Sequence, residues 1–319
     1  MDITQLVAGA AWSGNYQSVA RKLELELAVS SDAPNLPVIS IELGDHILLE
    51  EGEILFDGFV MAITVNTDAT TKTVSCYDRG IYLNQSQGYY QFQNALPEEI
   101  CRRVASDFGI KIGQIEATGI QISRNFLGVP LYKIIATGYT LAAARTGEKY
   151  HIGFEADRLI VRKKQQDANT LVIRPGSNLM DATTTESIEK LVNRVRIVGS
   201  DYQLIDTKED TASVEKYGVM QRVLQQSEDS DAEARQLLED NQPTQKITVN
   251  CLGDVRSMTG RMVALRVETA GLWGLFWIES DTHTWRNGIY TNKLVLNFKA
   301  VMDKIEAGTG YEDVYKRQV

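Results

Sequence analysis

Strict alternation of apolar and charged side chains in one short segment restricts the fold of this chain more than any other feature. The apolar residues occupy every second position, and they are Leu23, Leu25, Leu27 and Val29. Lys22, Glu24 and Glu26 occupy the positions between them. A period of two is typical of a β-strand that buries one face. Short apolar segments separated by turn residues continue to about Gly80, which predicts a small antiparallel barrel or sandwich.

A different pattern follows this first set of strands. One predicted helix begins at Pro97 and stops before Gly109, because proline suits a first helical turn and glycine suits a helix end. A second predicted helix ends at Gly147, and a hairpin with its turn at Asp157 comes next. Two helices and a hairpin predict a compact α+β insert.

The remaining patterned segments return to strands. Residues 187–200 predict a short helical start that passes into a strand, and a further helix is predicted to begin at Ser230. Asn287 and Gly288 lie between two apolar segments, which is the strongest hairpin signal in the chain. These segments predict a second set of strands.

The predicted fold class is therefore α+β and mainly β, with two related small antiparallel β-barrels interrupted by α+β inserts. Equal glycine spacing in 44–58 and 260–274 suggests that one unit is used twice. The predicted domains are a first barrel over 1–80, an α+β insert over 81–166, a second barrel over 167–210 and 244–301, a helical, acidic excursion over 211–243, and a frayed tail over 302–319. From Tyr311 the tail resembles a translated sequencing adapter, and the sequence leaves open whether that stretch is native.

Charge and hydropathy argue against two classes of partner. The net charge of −9 provides no overall cationic field for nucleic acid or an anionic membrane. The longest uncharged apolar run, 59–65, is far shorter than the roughly 20 residues of a membrane helix.

The N-terminus lacks the basic region of a signal peptide, so none is predicted. Cys76, Cys101 and Cys251 have no paired spacing, which favours reduced thiols made in a bacterial-type cytoplasm.

No motif in the chain predicts a catalytic, cofactor-binding or metal-binding residue. Asp281 and His283 share one face of a strand, but a zinc site needs three or four ligands. His46 and His151 lie more than a hundred residues away, and the chain contains neither a nucleophile-elbow nor a phosphate-loop motif. We therefore predict that His283 is a surface residue or a cross-strand partner of an acid. If partly exposed, its replacement by alanine would cost about 1 kcal/mol.

Large aromatic side chains are the candidates for a protein–protein interface, and they are Trp12, Tyr89, Tyr90, Phe92, Trp273, Trp277 and Trp285. On an alternating strand Trp273, Trp277 and Trp285 share one face, whereas Phe276 points the other way. One face belongs to a core. The other must be covered by an insert or by another chain.

Several of these segments together resemble a known family. They are WSGNYQSVARKLELEL, SQGYYQFQNALPEEICRRVASDFGIKIG, ISRNFLGVPLYKIIATGYTLAAARTGEKY, SIEKLVNRVRIVG, YGVMQRV, and SDTHTW followed by NGIYTNKLVLNF. Over roughly residues 10–300 they resemble, in this order, the baseplate hub proteins of contractile phage tails, the XkdQ/YqbQ-like group. More distantly the chain resembles late-control D tail proteins and the N-terminal part of type VI secretion spikes.

The resemblance implies a structural role. The two barrels would be of the tube type, and a homotrimer would form a pseudo-sixfold ring that joins the hexameric tail tube to a trimeric central spike. Baseplate wedge and tape measure proteins are further implied partners. DNA could pass through the lumen without specific binding, and no cofactor, membrane or reaction is implied. The location would be the tail baseplate of a phage or of a headless bacteriocin, after synthesis in the host cytoplasm. The alternative is a tail-associated cell-wall hydrolase acting through Asp281, His283 or acids of the insert.

Overall fold

A computed structural model describes residues 1–28, 40–65, 71–165, 170–227 and 230–310 of the chain. The fold is mainly β, with 51% of residues in strands and 20% in helices, which confirms the predicted class. Two compact units are present. The first comprises the described residues of Met1–Ala182 and Thr248–Val319, and the second is Thr183–Ile247.

The described strands and helices are numbered in chain order. The strands are β1 (Val7–Asn15), β2 (Lys22–Ala28), β3 (His46–Glu51), β4 (Glu53–Val65), β5 (Thr71–Asp78), β6 (Gln87–Ala95), β7 (Lys111–Ile115), β8 (Ile122–Pro130), β9 (Tyr150–Glu155), β10 (Arg158–Lys163), β11 (Leu171–Ile173), β12 (Leu179–Ser187), β13 (Arg194–Val198), β14 (Leu204–Glu209), β15 (Gln221–Gln225), β16 (Thr244–Leu252), β17 (Met262–Val267), β18 (Leu272–Arg286), β19 (Ile289–Asn297) and β20 (Thr309–Gly310). The α-helices are α1 (Gly80–Gln85), α2 (Pro97–Asp107), α3 (Leu131–Thr146), α4 (Thr211–Tyr217) and α5 (Ser230–Asp240), and 3-10 turns occupy Thr4–Leu6 and Glu268–Ala270.

Both predicted sets of strands contribute to one eleven-stranded sheet. Its main path runs β12-β16-β19-β18-β1-β2-β5-β4-β3, and β17 and β11 extend it alongside the first part of β18. The two sets meet where β1 pairs antiparallel with β18, from Gly9 opposite Arg286 to Asn15 opposite Ser280. Strands from opposite ends of the chain are thus neighbours. The division of this sheet into two barrels, and the duplication, stay predictions.

A β-bulge in β18 corrects one detail of the predicted pattern. The register with β19 shifts between Ile278 and Ser280, so one extra residue enters β18 there. A one-residue shift reverses which face each later side chain occupies. Trp285 therefore packs against the core, on the side of Phe276, and not on the side of Trp277 as alternation predicts.

The α+β insert agrees with the sequence in its local detail. Helix α2 begins at Pro97, and Glu99 Oε2 accepts a hydrogen bond from the N–H of Leu96, which satisfies one helix-terminal donor. Helix α3 ends at Gly147, whose φ of 77° is left-handed backbone that glycine adopts without strain. Strands β9 and β10 form the predicted hairpin around Asp157. The helices and the hairpin enclose one hydrophobic core.

The segment after β19 contradicts the prediction of a frayed tail. Residues 301–310, here called the C-terminal strap, pack on the insert, where Met302 is buried and β20 pairs with β8. Five hydrogen bonds that involve side chains hold the strap: Tyr132 Oη to Asp303 Oδ2 (2.8 Å), Ile305 N to Thr140 Oγ1 (3.0 Å), Ala307 N to Thr137 Oγ1 (3.0 Å), Arg124 Nε to the Ala307 carbonyl (3.0 Å) and Lys164 Nζ to the Val301 carbonyl. The prediction is wrong for 302–310, because polar-looking sequence there is paired with the insert. Tyr311 to Val319 lie outside the described residues.

The second unit is a three-stranded sheet, in the order β14-β13-β15, with α5 packed on one face. The predicted helix at Ser230 is confirmed as α5. The predicted helical start within 187–200 is wrong, because the backbone there bonds to distant partners. Val192 N donates to the Asn241 carbonyl at 3.0 Å, and Asn193 N donates to the Met220 carbonyl at 3.0 Å.

Candidate functional site

The seven candidate interface aromatics fall into three groups. Trp12 and Trp277 are buried within the chain. Tyr90, Phe92 and Trp285 are partly buried; the Tyr90 and Phe92 rings stack at 5.4 Å, and Trp285 stacks on Tyr290 at 4.4 Å. The exposed members are Tyr89, at 83%, and Trp273, at 62%. The structure therefore leaves two of the seven largely open to solvent.

Trp273 belongs to an apolar surface that the β18 pairing creates. The register of β11, β17 and β18 places one set of side chains on the side away from the core, here called the outer face. Its members are Val172, Met262, Ala264, Arg266, Trp273, Leu275 and Trp277. Lys164 lies over the Trp277 ring, with Nζ 5.8 Å from its centroid. Arg266 lies 5.6 Å from the Trp273 centroid and leaves most of that ring exposed.

Tyr89 lies in a second exposed apolar pair. It is directly opposite Leu127 in the β6–β8 ladder, and Leu127 is 88% exposed. Tyr90, next to it, points inward and donates to Asp107 at 3.1 Å. Tyr89 and Trp273, the two candidate interface aromatics that are largely exposed, thus lie on different sheets.

Asp281, suggested by the sequence as part of a metal or catalytic pair, lies at the centre of a buried polar network. Arg21 pairs with both of its carboxylate oxygens. Thr259 donates to Oδ1 through its backbone N–H and its hydroxyl, each at 2.6 Å. The Arg21 guanidinium also lies over the Trp12 ring, 4.1 Å from its centroid. Sequence inspection missed Arg21 and Thr259, since 260 residues separate Arg21 from Asp281.

His283 is fully buried beside this pair, so the prediction of a surface residue is wrong. Its Nδ1 lies 2.6 Å from Tyr290 Oη, and its Nε2 lies 3.2 Å from Asp281 Oδ2, an ion-pair distance without hydrogen-bond geometry. The Trp12 ring packs at a centroid distance of 5.0 Å. The nearby acid is on the same strand, two residues away, and not across the ladder.

Electrostatics explains the charge state of the two buried acids near Arg21. Burial raises the pKa of Asp281, but the Arg21 charge and hydrogen bonds outweigh burial and hold that pKa below its usual 3.8. Asp78 accepts from the N–H groups of Arg21 and Gly80, at 3.1 and 2.9 Å. Burial dominates for Asp78 and raises its pKa to about 7. Through Arg21, these hydrogen bonds and the ion pair connect β5 and the start of α1 with β18.

The residues that the structure describes contain no group of three or more His, Cys, Asp or Glu side chains able to hold a metal ion. In the same residues, no helix is both long and apolar enough to cross a membrane.

Replacing His283 with alanine should lower the free energy of unfolding by about 2 to 4 kcal/mol, because it leaves a cavity against Trp12 and an unpaired Tyr290 hydroxyl. This exceeds the value expected from the sequence. His46→Ala is the matched control; its exposed pair with Asp57 should contribute below about 1 kcal/mol. Urea titration measures both variants. Stoichiometric zinc in the wild-type chain that disappears in His283→Ala would contradict a purely structural histidine.

Comparison with known proteins identifies the family. Residues 10–297 match the family model described as YQBQ-like. The phage-like element PBSX protein XkdQ of Bacillus subtilis (strain 168) is 27% identical over 264 residues, which are 79% of this chain and 81% of XkdQ.

Two solved structures share the fold. The 43 kDa tail protein of prophage MuSo2 from Shewanella oneidensis has a TM-score of 0.69 at 15% identity, covering 91% of this chain and 93% of that one. The E. coli c3393 protein, described as a type VI secretion system component with structural similarity to bacteriophage tail proteins, has a TM-score of 0.56 at 10% identity, covering 95% and 76%. This chain therefore belongs to the YQBQ-like family and has a fold found in phage tail proteins.

Proposed function

We propose that this chain is a structural protein of a phage-type tail, the baseplate hub, and that three copies close into a ring. The outer face of β11, β17 and β18 carries the proposal, because it leaves Trp273 and Val172 exposed on a sheet whose other face is already core. A sheet with two apolar faces needs a cover on each. We assign the cover of the outer face to a neighbouring copy, and Tyr89 with Leu127 to a second contact.

Apolar burial has to drive this association. The chain carries a net charge of −9, so identical copies repel one another at long range. A stable contact of this kind buries on the order of 1,000 to 2,000 Å² with aromatic residues near its centre. Closed cyclic symmetry also prevents open-ended polymerisation.

A ring of three copies also determines which partners bind on each side. Two tube-type barrels in each of three copies match the sixfold tail tube on one side, and the threefold central spike binds the other. Wedge and tape measure proteins complete the baseplate, and DNA passes through the lumen without specific contacts. The protein is made in the host cytoplasm and functions in the assembled tail. This role requires no reaction and no cofactor.

The position of Asp281 and His283 argues against the alternative function, a cell-wall hydrolase that acts through these two residues. Asp281 and His283 are both buried, and Asp281 is already held by Arg21 and Thr259. A polymeric substrate has no access to side chains in that position. A peptidoglycan zymogram tests the acids of the insert: a clear band from the purified chain would favour the hydrolase.

The ring proposal predicts a trimer near three times 35.6 kDa by light scattering of the purified chain, or three copies of this chain per complex where the spike partner is needed to close the ring. The trimer should persist at high salt, which screens exposed charges but spares apolar contacts. Trp273→Glu should weaken association at least tenfold, since it places a charge in the centre of the contact. Tyr202→Glu, an exposed aromatic of the second unit, is the control and should leave the mass unchanged. A chain that stays monomeric beside its spike contradicts the proposal.

A further inference from the structure

A polar cleft with a volume of about 460 Å³ lies between the main sheet and the insert, within the first unit. Its walls carry five basic side chains and one histidine, which are Arg21, His151, Arg162, Lys163, Lys164 and Arg261. Only two carboxylates, Glu116 and Glu155, line it. Positive charge is therefore concentrated here, although the chain as a whole carries −9.

The acids around the cleft are distributed unevenly among its cations. Arg162 and Arg261 share Glu155, at 2.6 and 3.8 Å, and Lys163 pairs at 2.8 Å with Glu148 outside the cleft. Arg21 pairs with Asp281, so among the described residues every cation of the cleft except Lys164 has a carboxylate within ion-pair distance. An additional anion would therefore be bound at Lys164.

Lys164 is the basic side chain of the cleft with the weakest compensation. It is 8% exposed, and its ammonium donates to the Val301 carbonyl and lies near the Trp277 ring. Among the described residues it forms no ion pair; Glu279 acts on it only at longer range. An ammonium has three donors, and burying its charge without a carboxylate is costly. Burial lowers the pKa of Lys164 to about 8, so it is still mostly protonated at neutral pH.

Two further donors belong to residues that line the cleft. Arg21 Nε is buried and has no hydrogen-bond acceptor in the described part of the chain. Gly260 has a φ of +87°, and a Cβ there would lie 2.6 Å from Cγ of His151, so glycine allows this loop to press against the imidazole. Burial lowers the pKa of His151 to about 3, which keeps the ring neutral at pH 7. A neutral imidazole can still donate one hydrogen bond.

We propose that this cleft binds one small oxyanion, a carboxylate or a phosphate group, whose oxygens accept hydrogen bonds from Lys164 and the neighbouring basic side chains. Bonds between charged donors and oxyanions are about twice as strong as neutral ones. The volume lies within the range of small-ligand sites. Bound there, the anion joins the insert to the sheet.

The test is thermal unfolding of the full chain with sodium phosphate up to about 50 mM, compared with sodium chloride of equal ionic strength. A saturable rise of roughly 2 °C or more in the midpoint is expected, because the ligand binds only the folded chain. N-acetyl-aspartate amide forms a second arm. A rise with phosphate alone identifies a free phosphate ligand, and a rise with the carboxylate probe identifies an acidic side chain as the source.

Lys164→Met should abolish the rise while retaining the apolar stem, and Arg261→Gln should reduce it. Lys208→Met is the matched control, because this lysine belongs to the second unit, lies outside the cleft and pairs with Asp206 at 2.7 Å, so the rise should be unchanged. An unaltered rise in both Lys164→Met and Arg261→Gln, or no saturable rise with either probe, overturns the proposal. The readout is a phosphate-dependent shift in the unfolding midpoint, whereas the ring proposal is tested by the mass of the assembly.

Discussion

Asp281→Ala should lower the free energy of unfolding by about 3 to 5 kcal/mol, one of the two largest effects expected for this protein. The substitution leaves the Arg21 guanidinium buried without its counter-charge. It also removes the acceptor of both Thr259 hydrogen bonds. Removing one partner of a buried pair is costlier than removing both, since the remaining charge has neither water nor a partner.

Two matched variants separate the charge from the loss of packing. Asp107→Ala breaks an exposed pair with Arg103 and should change stability by less than about 1 kcal/mol. Arg21→Met combined with Asp281→Leu removes both charges and should recover part of the loss caused by Asp281→Ala alone. Urea titrations with tryptophan fluorescence measure all three variants. A double variant less stable than Asp281→Ala would show that the charge pair is not the source of the effect.

Deleting the C-terminal strap should destabilise the insert by about 4 kcal/mol or more, the second large effect. A chain that ends at Ala300 loses the buried Met302 side chain and the five side-chain hydrogen bonds between strap and insert. It also exposes the core surface against which Ile305 and Ala307 pack. Limited proteolysis should then cleave the insert early, and urea should unfold it at a lower concentration.

A chain that ends at Gly310 is the control for this deletion. It keeps the strap and removes only residues 311–319. Its stability should lie within about 0.5 kcal/mol of the full chain, because every described contact of the strap is retained. Met302→Asp offers a second route, because it places a charge in the insert core without shortening the chain. If both shortened chains unfold at the same urea concentration, the strap contributes nothing.

The buried polar network around Asp281 and the basic cleft share one residue. Arg21 belongs to both, through its bond to Asp281 and through its place in the cleft wall. Asp281→Ala should therefore disturb oxyanion binding as well as stability. Lys164 pairs with no member of the network among the described residues, so its substitution leaves the network intact; it also removes a hydrogen bond to Val301 of the strap, and the phosphate-dependent rise, not the basal midpoint, is therefore the readout for the cleft.

Local sequence patterns predicted most individual elements correctly. The period of two at Leu23 to Leu27 is a half-buried strand, and the helix limits at Pro97 and Gly147 are where the sequence places them. The Asn287-Gly288 turn has φ values of 53° and 73°, as its residue types require. These features depend on backbone sterics and on neighbours within a few positions, so the sequence alone contains the information.

Only the tertiary structure decided which distant segments meet. The Arg21–Asp281 pair joins the residue before β2 to β18 across 260 residues, and nothing in the local spacing of either residue indicates the other. The bulge before Ser280 packs Trp285 against the core, although unbroken alternation puts it on the side of Trp277. The strap looks polar and unpatterned, yet its backbone is held by Thr137 and Thr140 of α3. Long-range pairing depends on the summed burial and hydrogen bonding of whole surfaces, which no short window of sequence contains.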